Sequence, residues 1–549
     1  MEILKIEDLT FTYPLCGDPA LKDVSFSVKE GDFTVVCGAT GSGKSTLLRL
    51  LKRELAPLGE KRGRVLYKNR PTEDLSLAES ACAIGFVMQN PEQQIVTDKV
   101  WHELAFGLEN LNLPQKVILG RVAEMASYFG IEDWYEKNVS ELSGGQKQLL
   151  SLASVMVMNP DILILDEPTA QLDPIAASDF IATLKKLNND FSLTVIIAEH
   201  RLEELIPICD KLIAFENGSV IAAGDPRDIV AVLKDKKEIF SAMPTAARLY
   251  HALSAKARCP LTVREGRRFI EENFSNGIRM LEESDYKHES TPALEFHEVY
   301  FRYDREFPDV LRGLELTVYK NEIFCILGGN GSGQTTAMGA AAGLVRPYSG
   351  YIRVFGKRLK EYKDQSLYRE CLSLLPQDVQ TVFLKNTVRE ELAEVSADIK
   401  SLPFEISALC DKHPYDLSGG EQQLLALAKV LAQKPKIILM DEPTKGLDAI
   451  KKLEFIDVLK NLKSSGVTVV IVTHDVEFAA LCADRCALFF RGQVISDGVP
   501  MDFFSENSFY TTAASRMTKG YYDKAVTFES VAELCLKNAS GDGGYHEGN

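Results

Sequence analysis

The sequence contains no run of 18 or more apolar residues, so no stretch of it reads as a membrane span. No CxxC occurs, and the 11 cysteines are scattered singly. That excludes a disulfide framework or a zinc site as the organising element and fits a reducing cytosol. Positive charge is in deficit: 62 Lys and Arg against 78 Asp and Glu leave a net charge of −16. Nucleic acid is therefore not expected as the main partner. The N-terminal MEILKIEDLT is acidic and mixed, without the basic and apolar regions of a secretory signal. One further absence is local. GGNGSGQTT, residues 328–336, has the glycine spacing of a phosphate loop, yet Gln334 stands where such a loop carries lysine.

What is present is a duplication. The 549 residues, 45% hydrophobic and 26% charged, suit a soluble chain of several domains, and either half is long enough for its own core. GATGSGKST (38–46) parallels GGNGSGQTT (328–336), and ELSGGQKQLLSLA (141–153) parallels DLSGGEQQLLALA (416–428). ILILDEPTAQLD (162–173) parallels IILMDEPTKGLD (437–448), and VIIAEHRLE (195–203) parallels VIVTHDVEF (470–478). Gly43 and Gly333 are 290 residues apart, Gln89 and Gln377 288, Ser143 and Ser418 275, Asp166 and Asp441 275, His200 and His474 274. The second copy is shorter by 13 residues between its glutamine and its serine, 41 against 54. Five elements in one order, twice, make Gln334 part of a duplicated phosphate loop that has lost its lysine. The expected organisation is a first domain at 1–235, a linker or helical extension at 236–290, a second domain at 291–510, and a patternless tail at 511–549 whose end, GDGGYHEGN, reads as disordered. The linker reads either as short helices, one starting near CPLTVREG, or as packed connecting chain.

Each motif carries a definite chemistry. FTVVC (33–37) is a buried-strand run leading into Gly38, Ala39, Thr40, Gly41, Ser42, Gly43, Lys44, Ser45 and Thr46. Glycines let backbone N–H groups turn around phosphate oxygens, Lys44 neutralises β- and γ-phosphates, and Ser45 can ligate Mg²⁺. In the second copy Gly328, Gly331, Gly333, Gln334, Thr335 and Thr336 take these places. ILILDEP ends a strand in two acids, of which Asp166 is placed to hold Mg²⁺ and Glu167 to orient the attacking water as a general base. Adjacent carboxylates are costly unless a cation or a reaction requires them. Asp441 and Glu442 repeat the pair, and His200 and His474 end the next strand, where each can contact a γ-phosphate; a structural histidine is the alternative, which the repetition disfavours. Ser143, Gly144 and Gly145, like Ser418, Gly419 and Gly420, open helices whose N-termini are second anion sites.

These residues in this order resemble the ATP-binding cassette (ABC) ATPases over about four fifths of the chain. The resemblance implies an α/β fold of two P-loop (RecA-like) domains, each with a helical subdomain and an antiparallel β-region. It implies ATP and Mg²⁺ as cofactors, with two ATPs sandwiched between cassettes so that each phosphate loop meets the other cassette's LSGG. It further implies that Tyr13 and Tyr303 stack on adenine, that Gln89 and Gln377 sense Mg²⁺ and water, and that Asp173 and Asp448 cross the interface. Leu149 and Leu424 depart from the family, where arginine often follows LSGGxxQ.

QNPEQQIVTDKVWHELAFGLEN (89–110) is similar to the ATPases of energy-coupling factor importers for vitamins or cobalt and nickel. The second copy, PQDVQTVFLKNTVREEL (376–392), is a degraded version. In that family this region receives a transmembrane subunit, a separate membrane protein captures the substrate, and the ATPase sits on the cytoplasmic face. Val100, Trp101, Leu104, Ala105 and Leu108 share one helical face here, read either as docking groove or as core. Two other classes stay open: the tandem ATPase of a sugar importer, which gives no reason for ELAFGLEN, and a soluble ribosome-acting ABC protein, which ordinarily carries a basic interdomain arm.

Overall fold

The computed structural model describes residues 1–14, 16–255, 258–274, 291–363, 366–369 and 371–538. Met1–His251 form one compact unit and Ala252–Asn549 a second. In the first, the strands Ser219–Gly224, Lys211–Glu216, Phe33–Gly38, Thr194–Ala198, Ile162–Asp166 and Ile84–Val87 lie side by side in that order. Only the outermost hairpin, Lys211–Glu216 with Ser219–Gly224, is antiparallel. Ile162–Asp166 and Thr194–Ala198 are buried throughout, as continuous apolar runs must be in a parallel sheet covered on both faces. A second, antiparallel sheet is built on Glu2–Thr12, flanked by Leu21–Lys29 and Glu60–Tyr67.

The second unit repeats both sheets. Its six-stranded sheet runs Leu372–Leu375, Ile437–Asp441, Thr468–Val472, Ile323–Leu327, Arg485–Phe490, Gln493–Gly498, and its antiparallel sheet is built on Pro292–Phe301. In both units the phosphate loop, the paired acids and the histidine therefore leave the carboxyl ends of neighbouring parallel strands, the edge where open α/β sheets bind ligands.

The helical insertions explain the length difference. The first unit carries Val100–Asn110, Gln115–Tyr128 and Gly144–Met156. The second carries Val388–Glu394 and Gly419–Leu431, with single turns at Ile399–Ser401 and Ser407–Leu409 in place of the middle helix.

Beyond residue 510 the structure corrects the expectation of a patternless chain. Helices Ala513–Thr518 and Phe528–Lys537 are folded, and the first packs on Val263–Phe274 from the linker. Tyr522, fully buried, donates its hydroxyl to the Phe274 carbonyl. Helices of 6 and 10 residues have too few turns for a period to register. Residues 256–257, 275–290 and 539–549, which include part of the expected linker and the GDGGYHEGN end, lie outside the described residues. Among the described residues no helix is long and apolar enough to cross a membrane.

Candidate functional site

The first phosphate loop starts with an enforced glycine. A Cβ on Gly38 would lie 2.4 Å from the Phe215 carbonyl oxygen and 2.8 Å from Ser42 Oγ. Gly41 and Gly43 adopt φ of 79° and 102°, left-handed values that let the loop curl its N–H groups inward. Helix Lys44–Leu50 follows without a side-chain cap, so its first-turn N–H groups face the loop. Lys44 is buried and donates through Nζ to the carbonyls of Gly38 and Ala39 at 2.8 and 2.9 Å, spanning the loop mouth. Tyr13 stands beside it, its hydroxyl 3.0 Å from Thr46 Oγ1 and its ring against the edge of Phe11.

Ser45 Oγ donates to Asp166 Oδ1 at 2.9 Å, joining the loop to the end of strand Ile162–Asp166. Burial, reinforced by the charge of Glu167, pushes the Asp166 carboxyl up to about 6, against the pull of the Ser45 hydroxyl, Arg49 and Lys44. Glu167 has φ of 46°. In a continuing strand it would point away from Asp166; the left-handed turn brings both acids to one edge, at a cost of about 1–3 kcal/mol. Gln89 Nε2 donates to Glu167 Oε2 at 2.9 Å, and His200 Nε2 lies 2.8 Å from Glu167 Oε1. Five residues expected at the site, Ser45, Gln89, Asp166, Glu167 and His200, thus gather at one sheet edge.

Glu199 belongs to this network and was not singled out in the sequence. It is buried, and its Oε1 accepts from Thr169 N and Oγ1 at 2.8 and 2.6 Å, while Oε2 accepts from His200 N at 3.1 Å. It ties the turn after Glu167 to the histidine. Burial raises its carboxyl above the ordinary range. The available signal was EHR in the first copy against THD in the second, where Thr473 replaces it.

The second site keeps the frame and changes the charge. A Cβ on Gly328 would lie 2.4 Å from the Phe489 carbonyl oxygen, so glycine is enforced here too, and Gly331 and Gly333 have φ of 75° and 106°. Gln334 does not take the place of Lys44. Its Nε2 donates to Ile326 O at 3.3 Å and its Oε1 accepts from Ser332 Oγ at 3.2 Å. The amide is turned back toward the strand, two residues deeper than the carbonyls that Lys44 reaches. Arg49 is also lost, its counterpart being Gly339, while Lys445 appears where the first copy has Ala170. Burial holds Lys445 below the ordinary lysine range, opposed by Glu442, Asp378 and Asp441. Asp441 is again pushed up to about 6 by burial, with Thr335 lowering and Glu442 raising it. His474 Nδ1 lies 2.8 Å from Glu442 Oε1, and Glu442 repeats the left-handed backbone with φ of 50°. Gln377 is exposed and, among the described residues, is not hydrogen-bonded to Glu442 as Gln89 is to Glu167. Tyr303 is exposed with its hydroxyl 3.0 Å from Thr336 Oγ1.

The donor sets fit a divalent cation with a nucleotide phosphate. Each offers a hydroxyl and a buried carboxylate, and in the second site Asp441 Oδ1 and Glu442 Oε2 are buried without a hydrogen-bond partner. Ser143 and Ser418 cap their helices, accepting from Gln146 N and Glu421 N, while Gly144, Gly145, Gly419 and Gly420 form the first turns. Asp173 and Asp448 are N-caps as well, of Pro174–Phe191 and Ala449–Ser464. On helix Val100–Asn110, Val100, Leu104, Ala105 and Leu108 are core; Trp101 and Phe106 are the exposed large apolar residues, each 38% accessible. Leu149 and Leu424 are half-buried.

The ABC transporter family model matches residues 21–170 and 311–445, the two repeated segments. An ABC transporter ATP-binding protein of Bacillus thuringiensis subsp. konkukian is 38% identical over 542 residues, covering 97% of this chain and 98% of that one. One from Streptomyces coelicolor is 32% identical over 557 residues, covering 94% and 97%. Among solved structures, cbiO1 from Clostridium perfringens, part of the ABC transporter complex cbiONQ, is 34% identical and covers 43% of this chain and 94% of its own, with a TM-score of 0.39. The archaeal ribosome recycling factor aABCE1, in complex with ribosomal stalk protein aP1, shares the fold at 20% identity and a TM-score of 0.58, covering 91% of each chain.

Proposed function

The chain belongs to the ABC transporter ATP-binding proteins, and from that premise we propose that it is the fused ATPase pair of an energy-coupling factor importer for a vitamin or a cobalt- or nickel-type substrate. It works at the cytoplasmic face of the membrane with a separate transmembrane subunit, through which a substrate-capture protein is energised. The observation that carries this reading is QNPEQQIVTDKVWHELAFGLEN, with Trp101 and Phe106 exposed on its helix while the rest of the apolar face is core. Two large exposed aromatics in the segment that follows Gln89 suit a surface that another protein covers.

Each unit offers ATP a phosphate-loop site of its own. The first unit's site is Lys44, Ser45, Gln89, Asp166, Glu167 and His200, and that unit also carries the capped helix start Ser143, Gly144 and Gly145. The second unit's site is Gln334, Thr335, Gln377, Asp441, Glu442 and His474, and that unit carries Ser418, Gly419 and Gly420. Bound Mg²⁺ supplies charge stabilisation to the phosphates, with Ser45 and Asp166, or Thr335 and Asp441, to hold it. Glu167 Oε2, already engaged by Gln89, accepts the proton of the attacking water, and His200 holds the carboxylate from its other oxygen. Lys44 swings from the loop carbonyls to the phosphates. In the second site Gln334 brings no charge, and loss of one such preorganised donor costs about 10²–10³ in rate.

Incubating the tagged chain with membranes containing its transmembrane partner, and separately with ribosomes, tests the assignment. Recovery with membranes, together with vitamin or metal uptake that requires the chain, is expected. Co-sedimentation with ribosomes and not with membranes contradicts it.

A further inference from the structure

The second unit has a cleft of about 530 Å³ that plays no part in ATP chemistry. Lys320, Lys357 and Lys436 line it, together with Phe355, Tyr362 and Cys371. Lys436 immediately precedes strand Ile437–Asp441, whose other end carries the magnesium-site acid. At about 3.3 Å per residue the cleft and that acid are roughly 16 Å apart, at opposite ends of the strands.

The residues converge from several elements. Lys436 N donates to Cys371 O at 3.0 Å, and Lys320 Nζ lies 5.6 Å from the centre of the Phe355 ring. Tyr362 is fixed as a wall by its hydroxyl, which donates to Val354 O at 2.8 Å. None of the three lysines is ion-paired among the described residues. Lys436 and Lys357 both act on the Cys371 thiol, opposing the rise that burial imposes on it.

The first unit is an internal control. Sheet register sets Leu4 opposite Tyr67 as Leu294 is opposite Val354, and Ile84 opposite Ile162 as Leu372 is opposite Ile437. Lys320 and Lys436 thus correspond to Glu30 and Asp161, Lys357 to Arg70, and Phe355 and Tyr362 to Lys68 and Leu75. In the first unit Asp161 is engaged by Tyr67 and by Lys68, the latter at 2.7 Å, and the charges at these positions cancel. In the second unit three positive charges stand together and two aromatic rings replace Lys68 and Leu75. Two lysines stand where the first unit has acids, and Phe355 and Tyr362 stand where it has Lys68 and Leu75, while Val354 takes the place of its Tyr67; a solvated edge does not need this.

We infer that this cleft is a binding site for a small, soluble phosphorylated molecule bearing a planar ring, separate from both nucleotide sites. The volume lies within the range of small-ligand pockets. Lysines serve as point charges for phosphate oxygens, and Phe355 and Tyr362 offer apolar faces to the ring.

Pyridoxal 5′-phosphate is a suitable probe for the full-length chain with MgATP present in excess. A lysine amine near the bound phosphate condenses with the aldehyde, releasing water, and borohydride delivers hydride to the imine, leaving a stable secondary amine for peptide mapping. Labelling concentrated on Lys320, Lys357 or Lys436 and suppressed by inorganic pyrophosphate is expected. The Lys320→Glu, Lys436→Asp double variant installs the residues of the first unit. It should reduce labelling at Lys357 by about tenfold or more, about 1.4 kcal/mol, and leave ATPase activity intact. A Lys320→Gln, Lys436→Gln variant gives the same reading if the first does not fold. Labelling spread evenly over surface lysines, no protection by pyrophosphate, or unchanged Lys357 labelling in a folded variant overturns the site. Protection by vesicles of phosphatidylcholine and phosphatidylglycerol in place of pyrophosphate assigns the cleft to lipid headgroups and overturns the soluble ligand.

Discussion

Gln334 shows how one side chain redirects a site whose frame is unchanged. Its loop glycines, Thr335, Asp441, Glu442 and His474 are all in register with the first copy, but its amide is spent on Ile326 and Ser332. Gln334→Lys restores a group able to span the loop mouth, and ATP affinity at the second site should rise by about tenfold or more, one charge-assisted bond being worth about 1.5–3 kcal/mol; titration with a fluorescent ATP analogue measures it. The missing lysine was legible in the sequence, since the motif fixes which position should carry it. Where the glutamine points was not, because that depends on which backbone carbonyl lies within reach. Glu199 escaped notice for a related reason: its role is to join a turn and a histidine that meet only in three dimensions. Its carboxyl is raised by burial, so between the ordinary carboxylate value and the raised one the folded chain keeps a proton that the unfolded chain has released. Its contribution to stability therefore falls as pH rises through that window. Glu199→Gln removes this dependence, and the difference in urea midpoint between pH 5 and pH 7.5 should be smaller in the variant than in the wild type. An equal difference would show that Glu199 does not titrate there.

At the scale of elements, the buried strands were readable because continuous apolar runs such as ILILD and TVIIA have few other places to go. Helix Val100–Asn110 was readable as a helix, but its period could not separate core from surface. The structure assigns four of the five facing residues to the core and leaves Trp101 out. Trp101→Glu sets a charge on the surface proposed for docking without entering the core. Uptake driven through the transmembrane partner should fall at least tenfold, about 1.4 kcal/mol or more of lost docking, while ATP binding by the isolated chain is unchanged. Retained uptake by the folded variant would place docking elsewhere. The helices after residue 510 lacked a visible pattern because they have too few turns for a period to register; the first of them packs on Val263–Phe274, far away in sequence. Tyr522 joins them to it as a large, fully buried side chain. Tyr522→Ala should destabilise the second unit by about 3–5 kcal/mol, as truncating a buried aromatic does; a lowered urea midpoint for that unit checks it.

The whole molecule is one cassette written twice and then made unequal. Both copies retain the strained glutamate that follows the strand-end aspartate, Glu167 at φ 46° and Glu442 at φ 50°. Among the described residues only the first couples its glutamate to a loop glutamine, and only the first copy carries the phosphate-loop lysine. The charges around the sites diverged in the same way: Lys44 and Arg49 have no charged counterparts in the second copy, and Lys445 has none in the first. Duplication made the architecture legible from sequence alone, since each motif could be checked against its twin. The same comparison motivates the central proposal: one site turns over ATP quickly and the other slowly or merely holds it. Steady-state ATPase rates of Glu167→Gln and Glu442→Gln, measured side by side on the full-length chain, test it most directly. Glu167→Gln should lower the rate by about 10²-fold or more, as loss of a positioned general base does, and Glu442→Gln only modestly. Equal losses from the two variants would show that the sites work as equals and contradict the account.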